Sequence, residues 1–191
     1  MKTISVKDLI VPLDEYATVC EDASLADAIL ALERAQQDFD HTKYRHRAIL
    51  VLDAKGQPIG KLGQLDALRA LEPKYKKIQG EHTGGSFRHF SRMFLKSMLE
   101  NYSLFDGSLE ELKEKAAKIN VKEFMHNLST DECIDENAFL DVAVHTLIMG
   151  HHQSLLVSRG KTIIGILRLT DVFSAVFQTL ASPLYSLNEK N

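Results

Sequence analysis

Two aspartates, an arginine and a few histidines are the residues of this 191-residue chain whose placement suggests chemistry. Asp66 ends the segment Ile59-Gly60-Lys61-Leu62-Gly63-Gln64-Leu65-Asp66, and Asp171 ends Ile164-Gly165-Ile166-Leu167-Arg168-Leu169-Thr170-Asp171. Both fall at the start of a predicted helix, where an aspartate is favoured as a cap and by the helix dipole. Arg168, three residues before Asp171, either offers a guanidinium fork to a phosphate or closes on Asp171 as a salt bridge. Thr170 either gives its hydroxyl to a ligand or serves as a plain helix cap.

His46 and the pair His151-His152 stand just before apolar strands. Neighbours in an extended chain point to opposite faces, and no local triad of Cys, Asp or Glu converges on them. They read as hydrogen-bonded or solvated rather than as metal ligands. Cys20 and Cys133 lie beside β-branched residues and read as partly buried thiols in extended segments, too few for a disulfide framework. No nucleophile elbow, P-loop, His-Glu-x-x-His or dinucleotide fingerprint is present, so nothing here suggests an enzyme or a required cofactor.

The elements that must position these residues occur twice. Residues 4–10, Ile-Ser-Val-Lys-Asp-Leu-Ile, resemble residues 119–125, Ile-Asn-Val-Lys-Glu-Phe-Met. Ser24–Ala28 aligns with Ala138–Val142, Ile49–Leu52 with Ser154–Val157, and the two segments ending in Asp66 and Asp171 with each other. Asp27 and Asp141 are 114 positions apart and Asp66 and Asp171 105, so the first copy is longer by nine residues, around Gln36–Arg45. Each copy reads as strand, helix, strand, strand, helix. Leu25, Ala28, Ile29 and Leu32 carry helical spacing behind a Ser24 cap, and Val172, Phe173, Val176, Phe177 and Leu180 give the closing helix an apolar face. Hairpin turns are expected at Ala54–Gln57 and Ser158–Lys161. The fold class is α/β (α+β). One unit alone exposes too much apolar surface, so the two are expected to pack about a pseudo-twofold axis.

This pattern is similar to the cystathionine-β-synthase (CBS) domain, and the tandem resembles the two-domain Bateman module. The opening Val-Lys-Asp-Leu and Val-Lys-Glu-Phe-Met, the hairpin, and the glycine-to-aspartate ending carry the resemblance, more fully in the second copy. The resemblance implies a regulatory module sensing AMP, ADP, ATP or S-adenosylmethionine in clefts between the copies, and homodimerisation. It also implies that Asp66 and Asp171 hold ribose hydroxyls, since a carboxylate has two acceptor oxygens for a vicinal diol. In the family a Ser or Thr three residues earlier contacts phosphate; here Gly63 and Arg168 stand there. The expected ligand-binding residues are therefore Asp171, Arg168, Thr170 and Asp66, with the cleft of the second copy favoured.

The division expected is residues 1–72, a helical insert at 73–118, residues 119–182, and a C-terminal tail at 183–191. Within the insert, Lys74, Lys76, Lys77, Arg88, Arg92 and Lys96 face the single acid Glu81 over residues 73–98. Phe87, Phe90, Phe94 and Met98 lie near one helical face, so an amphipathic helix packing on a core or a second subunit is expected ahead of nucleic-acid binding. Ser108 to Glu111 forms a capping box for a helix leading to Lys118. A net charge of -3 gives no general pull toward nucleic acid or an anionic membrane. No apolar run approaches the ~18 residues of a membrane span, and the first residues lack a signal-peptide core, so a cytoplasmic protein acting on a separate effector is expected. A ligand-free dimerisation scaffold and a nucleic-acid-binding adaptor through the basic insert are the alternative readings.

Overall fold

The leucine- and β-branched runs of each copy form the inner strands of two mixed sheets, and the helices between them cover those strands. The computed structural model describes residues 3–38, 45–75, 78 and 91–188. In the first copy β1 (Val11–Pro12), β2 (Thr18–Cys20), α1 (Leu25–Asp38), β3 (Ala48–Leu52), β4 (Pro58–Gly63) and α2 (Gln64–Leu71) follow in order. The insert contributes α3 (Arg92–Asn101) and α4 (Leu109–Lys118). The second copy runs β5 (His126–Asn127), β6 (Cys133–Asp135), α5 (Leu140–Gly150), β7 (Ser154–Arg159), β8 (Thr162–Arg168) and α6 (Leu169–Asn188). Helix α6 thus continues past residue 182 into the expected tail.

Both hairpins form as expected, with Gly56 and Gly160 at positive φ. Asp53 tightens the first by accepting the N–H groups of Lys55 and Gln57, both at 2.8 Å. In each copy the first long helix joins a parallel pair, β2 to β3 and β6 to β7.

The opening segments are exchanged. Sheet order is β2-β3-β4-β5 and β1-β8-β7-β6, so each copy's first short strand completes the other copy's sheet. The exchange repeats at the start of each long helix. Leu25 N–H donates to the Ile119 carbonyl at 2.8 Å and Val121 N–H to that of Ala23 at 3.1 Å. On the other side Leu140 N–H donates to Ile4 at 3.0 Å and Val6 N–H to Ala138 at 2.9 Å. Val6 and Val121 follow their backbones into the opposite cores and are fully buried there. A third cluster of Val11, Tyr16, Leu50, Leu156 and Ile166 is shared between the sheets, and it buries the faces that one unit alone would expose.

These bonds also correct the alignment of the repeat. Leu25 is equivalent to Leu140, so Asp27 aligns with Val142 and not with Asp141. Strand register makes Leu50 equivalent to Leu156, so Ile49 aligns with Leu155 and not with Ser154. Nine extra residues still lie between helix and strand in the first copy, and its hairpin adds one more. The extra stretch includes residues 39–44, which lie outside the described residues.

Several helix faces differ from expectation. Leu25 and Ala28 are buried but Ile29 is exposed. In α6 the chain buries Val172 and Ala175, leaving Phe173, Phe177 and Leu180 in solvent. Ser24 caps α1, its hydroxyl accepting from Asp27 N–H at 3.1 Å, and Ser108 and Glu111 form the expected capping box on α4. In the insert Met98 packs with Ile78 and Leu104, whereas Phe94, Met93, Leu95 and Leu99 are exposed. Phe87, Phe90, Lys76, Lys77 and Arg88 lie outside the described residues. Cys133 is half-buried in its strand, which pushes its thiol pKa up, while Cys20 is exposed rather than partly buried.

Gly165 lies where β1 crosses β8, and a Cβ there would come within 2.5 Å of the Val11 carbonyl oxygen. Gly165→Ala is expected to cost about 1–3 kcal/mol by forcing the exchanged strand away. A urea midpoint equal to that of the parent would show that this seam yields freely.

Candidate ligand-binding cleft

Both strand-to-helix junctions, β4 to α2 and β8 to α6, open on one cleft of about 480 Å³. Gly63, Gln64 and Asp66 line it from the first copy and Arg168, Leu169 and Thr170 from the second. The lead-ins to the central strands face it too, Arg45 and Arg47 from one side and His151, His152 and Gln153 from the other. Those lead-ins are held by equivalent backbone bonds. Gln64 N–H donates to the Arg47 carbonyl and Leu169 N–H to that of Gln153.

Of the four expected residues, Asp66, Arg168 and Thr170 line this cleft. Asp171 lies behind Arg168 in a tight bidentate pair. Arg168 Nε donates to Asp171 Oδ2 at 2.5 Å and Nη2 to Oδ1 at 2.7 Å. Arg168 is only 5% exposed, and its Nη1 reaches His46 Nδ1 at 3.5 Å. Of the two roles open to Arg168, the structure takes the salt bridge. Its charge is neutralised by Asp171, which leaves little of it for a phosphate.

Asp66 is likewise engaged within the chain. Its Oδ2 accepts the Gly63 N–H at 3.0 Å, which is the capping role. Its Oδ1 lies 2.9 Å from His126 Nε2 and 3.3 Å from Arg69 Nη1. Deeper in the cleft Lys61, from β4, reaches across to Glu132 at 3.3 Å and to the Ser154 hydroxyl at 3.5 Å. His152 packs 3.6 Å from the same carboxylate. The histidines thus sit at equivalent points of the two copies, His46 and His152 turned inward. Among the described residues, no group of three or more His, Cys, Asp or Glu is arranged to hold a metal.

Arg45 and Arg47 went unnoticed in the sequence because Arg45 looks like the end of a polar loop. The signal available was their spacing, with one residue between them at the start of an apolar strand, which places both on the face opposite His46. His46 is fully buried against Tyr16, ring centroids 4.5 Å apart in an edge-on contact. Burial, with the Arg168 charge nearby, lowers the His46 pKa to about 4. Burial raises the Tyr16 hydroxyl to about 12.

Comparison with known proteins agrees with this architecture. The sequence model of the CBS domain family matches residues 6–73, the copy whose motifs look the weaker. CBSX2 in complex with AMP superposes with a TM-score of 0.57 at 19% identity, covering 92% of this chain and 97% of that one. CBSX2 is a CBS-pair protein of Arabidopsis thaliana. The CBS domain of a CBS-domain-containing membrane protein from Sphaerobacter thermophilus gives 0.59 at 16% identity, covering 91% of this chain and 88% of that. A putative acetoin utilization protein (AcuB) from Vibrio cholerae gives 0.53 at 20% identity, covering 98% and 97%. No curated protein matches. Residues 6–73 match the CBS domain family, and the chain as a whole shares the fold of CBS-pair proteins.

Removing one member of the buried pair leaves the other charge without its partner. Asp171→Ala is expected to destabilise by about 3–5 kcal/mol, and Arg168→Met with Asp171→Leu to recover most of that loss. A double variant no more stable than Asp171→Ala, by urea unfolding, would contradict this.

His46 adds a pH dependence of known sign. Its folded pKa is depressed from 6.5 to about 4, so its contribution is fully present above pH 6.5 and declines as the pH falls toward 4. The stability advantage of the parent over His46→Gln is expected to shrink across that window. A gap that is constant from pH 8 to 4 would refute it.

Proposed function

We propose that this chain is a regulatory, non-catalytic sensor that binds an adenosine-containing nucleotide in the cleft between its two copies and passes the signal to a separate effector. The observation that carries the reading is the cleft itself. It is built from the same strand-to-helix junction of both copies, and it is lined by hydroxyl, guanidinium and carboxylate groups suited to phosphate and ribose. AMP, ADP, ATP and S-adenosylmethionine are the candidate ligands. The presence of AMP in the structurally similar CBSX2 supports that class.

In this reading residues 1–72 and 119–182 are the sensing units, 73–118 an insert for output or dimer contact, and 183–191 a C-terminal extension. The protein acts in the cytoplasm as a homodimer. Among the described residues no helix is long and apolar enough to cross a membrane. A ligand that bridges the copies favours one relative arrangement of them, and its differential affinity for that arrangement is the signal. Asp66 and Thr170 contact the ligand directly. Asp171 takes part only when Arg168 shares its carboxylate.

The tight Arg168–Asp171 pair favours a second reading, a scaffold in which an internal cation has replaced the ligand. Thermal unfolding distinguishes the two. At ~100 times the dissociation constant, a bound nucleotide stabilises by about 2.7 kcal/mol. For a chain of this size that is a rise of roughly 5–10 °C in Tm. A rise with at least one of the four compounds is expected, and no shift with any of them at millimolar concentration would leave the scaffold.

A further inference from the structure

Glu72 is a buried carboxylate outside the cleft. It stands just past the end of α2, only 3% exposed, where the helix dipole disfavours a negative charge. Burial there is tolerable only because its oxygens are hydrogen-bonded. Oε2 accepts the N–H of Phe105 at 2.8 Å and Oε1 that of Lys74 at 3.3 Å. Lys74 Nζ in turn donates to the Ser103 carbonyl at 2.7 Å. The turn that follows α3 thus closes on the end of α2.

That turn is under strain. Ser103 N–H donates to the Glu100 carbonyl and Leu104 N–H to that of Leu99, the bonds that end a helix on a left-handed residue. The left-handed residue is Ser103, at φ 46°, where glycine is usual. Phe105, two positions on, is left-handed as well, at φ 57°. A bulky side chain adopts that backbone only where its surroundings hold it. Here they are the Glu72 carboxylate and the Tyr75 ring, whose centroid lies 6.1 Å from that of Phe105. The small core behind the turn, Ile78, Met98 and Leu104, is separate from the three larger clusters, so it can open without them. Helix α4 is not part of it, since Ala116 belongs to the first copy's core.

Helix α2 is only eight residues long, ~12 Å from end to end. Asp66 and Arg69, on the same helix, line the cleft. Tyr75 joins these two and His126 around a smaller cavity of about 240 Å³. Building on the proposed sensor function, we infer that Glu72 is a latch through which the insert and the cleft control each other. The turn after α3 is fastened while α2 is in place, and a nucleotide held by Asp66 keeps it fastened. A helix this short is not stable by itself. Opening the latch leaves Glu72 buried without its donors and loosens α2 together with the cleft side chains it carries. A nucleotide that needs those side chains in position therefore binds the fastened state better and shifts the population toward it. By the same linkage, an effector that draws the insert away weakens the nucleotide.

Amide hydrogen exchange of the full chain, read at Leu104 and Phe105 with and without millimolar ATP, ADP, AMP or S-adenosylmethionine, tests this. A compound that binds is expected to slow exchange at both amides at least about fivefold. Glu72→Gln, which turns an amide NH2 toward backbone donors, should speed exchange there roughly tenfold. It should also weaken binding of that compound about threefold or more, although Glu72 does not line the cleft. Ser103→Gly relieves the left-handed backbone away from the cleft, so it should slow exchange in the turn and tighten binding, a gain that no weakened fold would produce. Asp66→Asn supplies an arm without ligand and should speed exchange at Phe105 about threefold or more. If the two amides ignore a bound compound, or Glu72→Gln exchanges like the parent, the inference fails while the sensor reading stands. If none of the four compounds binds, the sensor reading fails, and faster exchange at Phe105 in Asp66→Asn still supports the latch. Parental exchange in Asp66→Asn overturns the latch in either case.

Discussion

The exchange of opening segments between the two copies is the interaction on which the rest of this fold depends. Four backbone hydrogen bonds, from Leu25, Val121, Leu140 and Val6, tie the start of each long helix to the opening turn of the other copy. They satisfy polar groups that a helix start would otherwise leave without partners. They also carry Val6 and Val121 into the opposite cores, so neither copy has a complete core by itself. The cleft exists because this tie holds the two strand-to-helix junctions against one another.

A second, polar tie crosses the same interface. Arg168 of the second copy is held by Asp171 and reaches His46 of the first, which rests on Tyr16. A buried charge pair adds little to stability when compared with a well-packed apolar equivalent, but the loss of either partner is costly. Its effect here is chiefly one of placement. It orients His46 inward, and that in turn sets the side on which Arg45 and Arg47 emerge. A pair that sequence chemistry allows to bind a ligand or to bind itself takes the second course because the guanidinium is buried. In that environment a charge without its counter-charge is costly.

The tandem unit, its hairpins, the Ser24 cap and the Ser108–Glu111 capping box were legible in the sequence because each rests on local spacing. The exchange of Val6 and Val121 was not, since it is a contact between segments more than ninety residues apart and leaves no periodic trace. The alignment of Asp27 with Asp141 was off by one residue, because matching letters outweighed the helix register that backbone bonds impose. Phe173, Phe177 and Leu180 look like a buried face from their spacing, yet the helix turns Val172, Ala175 and Val176 to the core and leaves those three exposed. Of the candidate residues, Asp66, Arg168 and Thr170 line one cleft, while Asp171 is paired with Arg168 and does not line it. Arg45 and Arg47 also line it and carried no motif-level signal in the sequence.

Those misses share a cause. What the two copies have in common is carried by backbone bonds and small apolar residues, such as Ala23 and Ala138, which a sequence repeat displays directly. The cleft is lined by the side chains that those bonds leave unconstrained, so the copies can differ there without disturbing the fold. Arg45 and Arg47 in one copy stand opposite His151 and Gln153 in the other, on lead-ins whose carbonyls make equivalent bonds to Gln64 and Leu169. A symmetric frame therefore holds a cleft whose two lead-ins differ in their side chains.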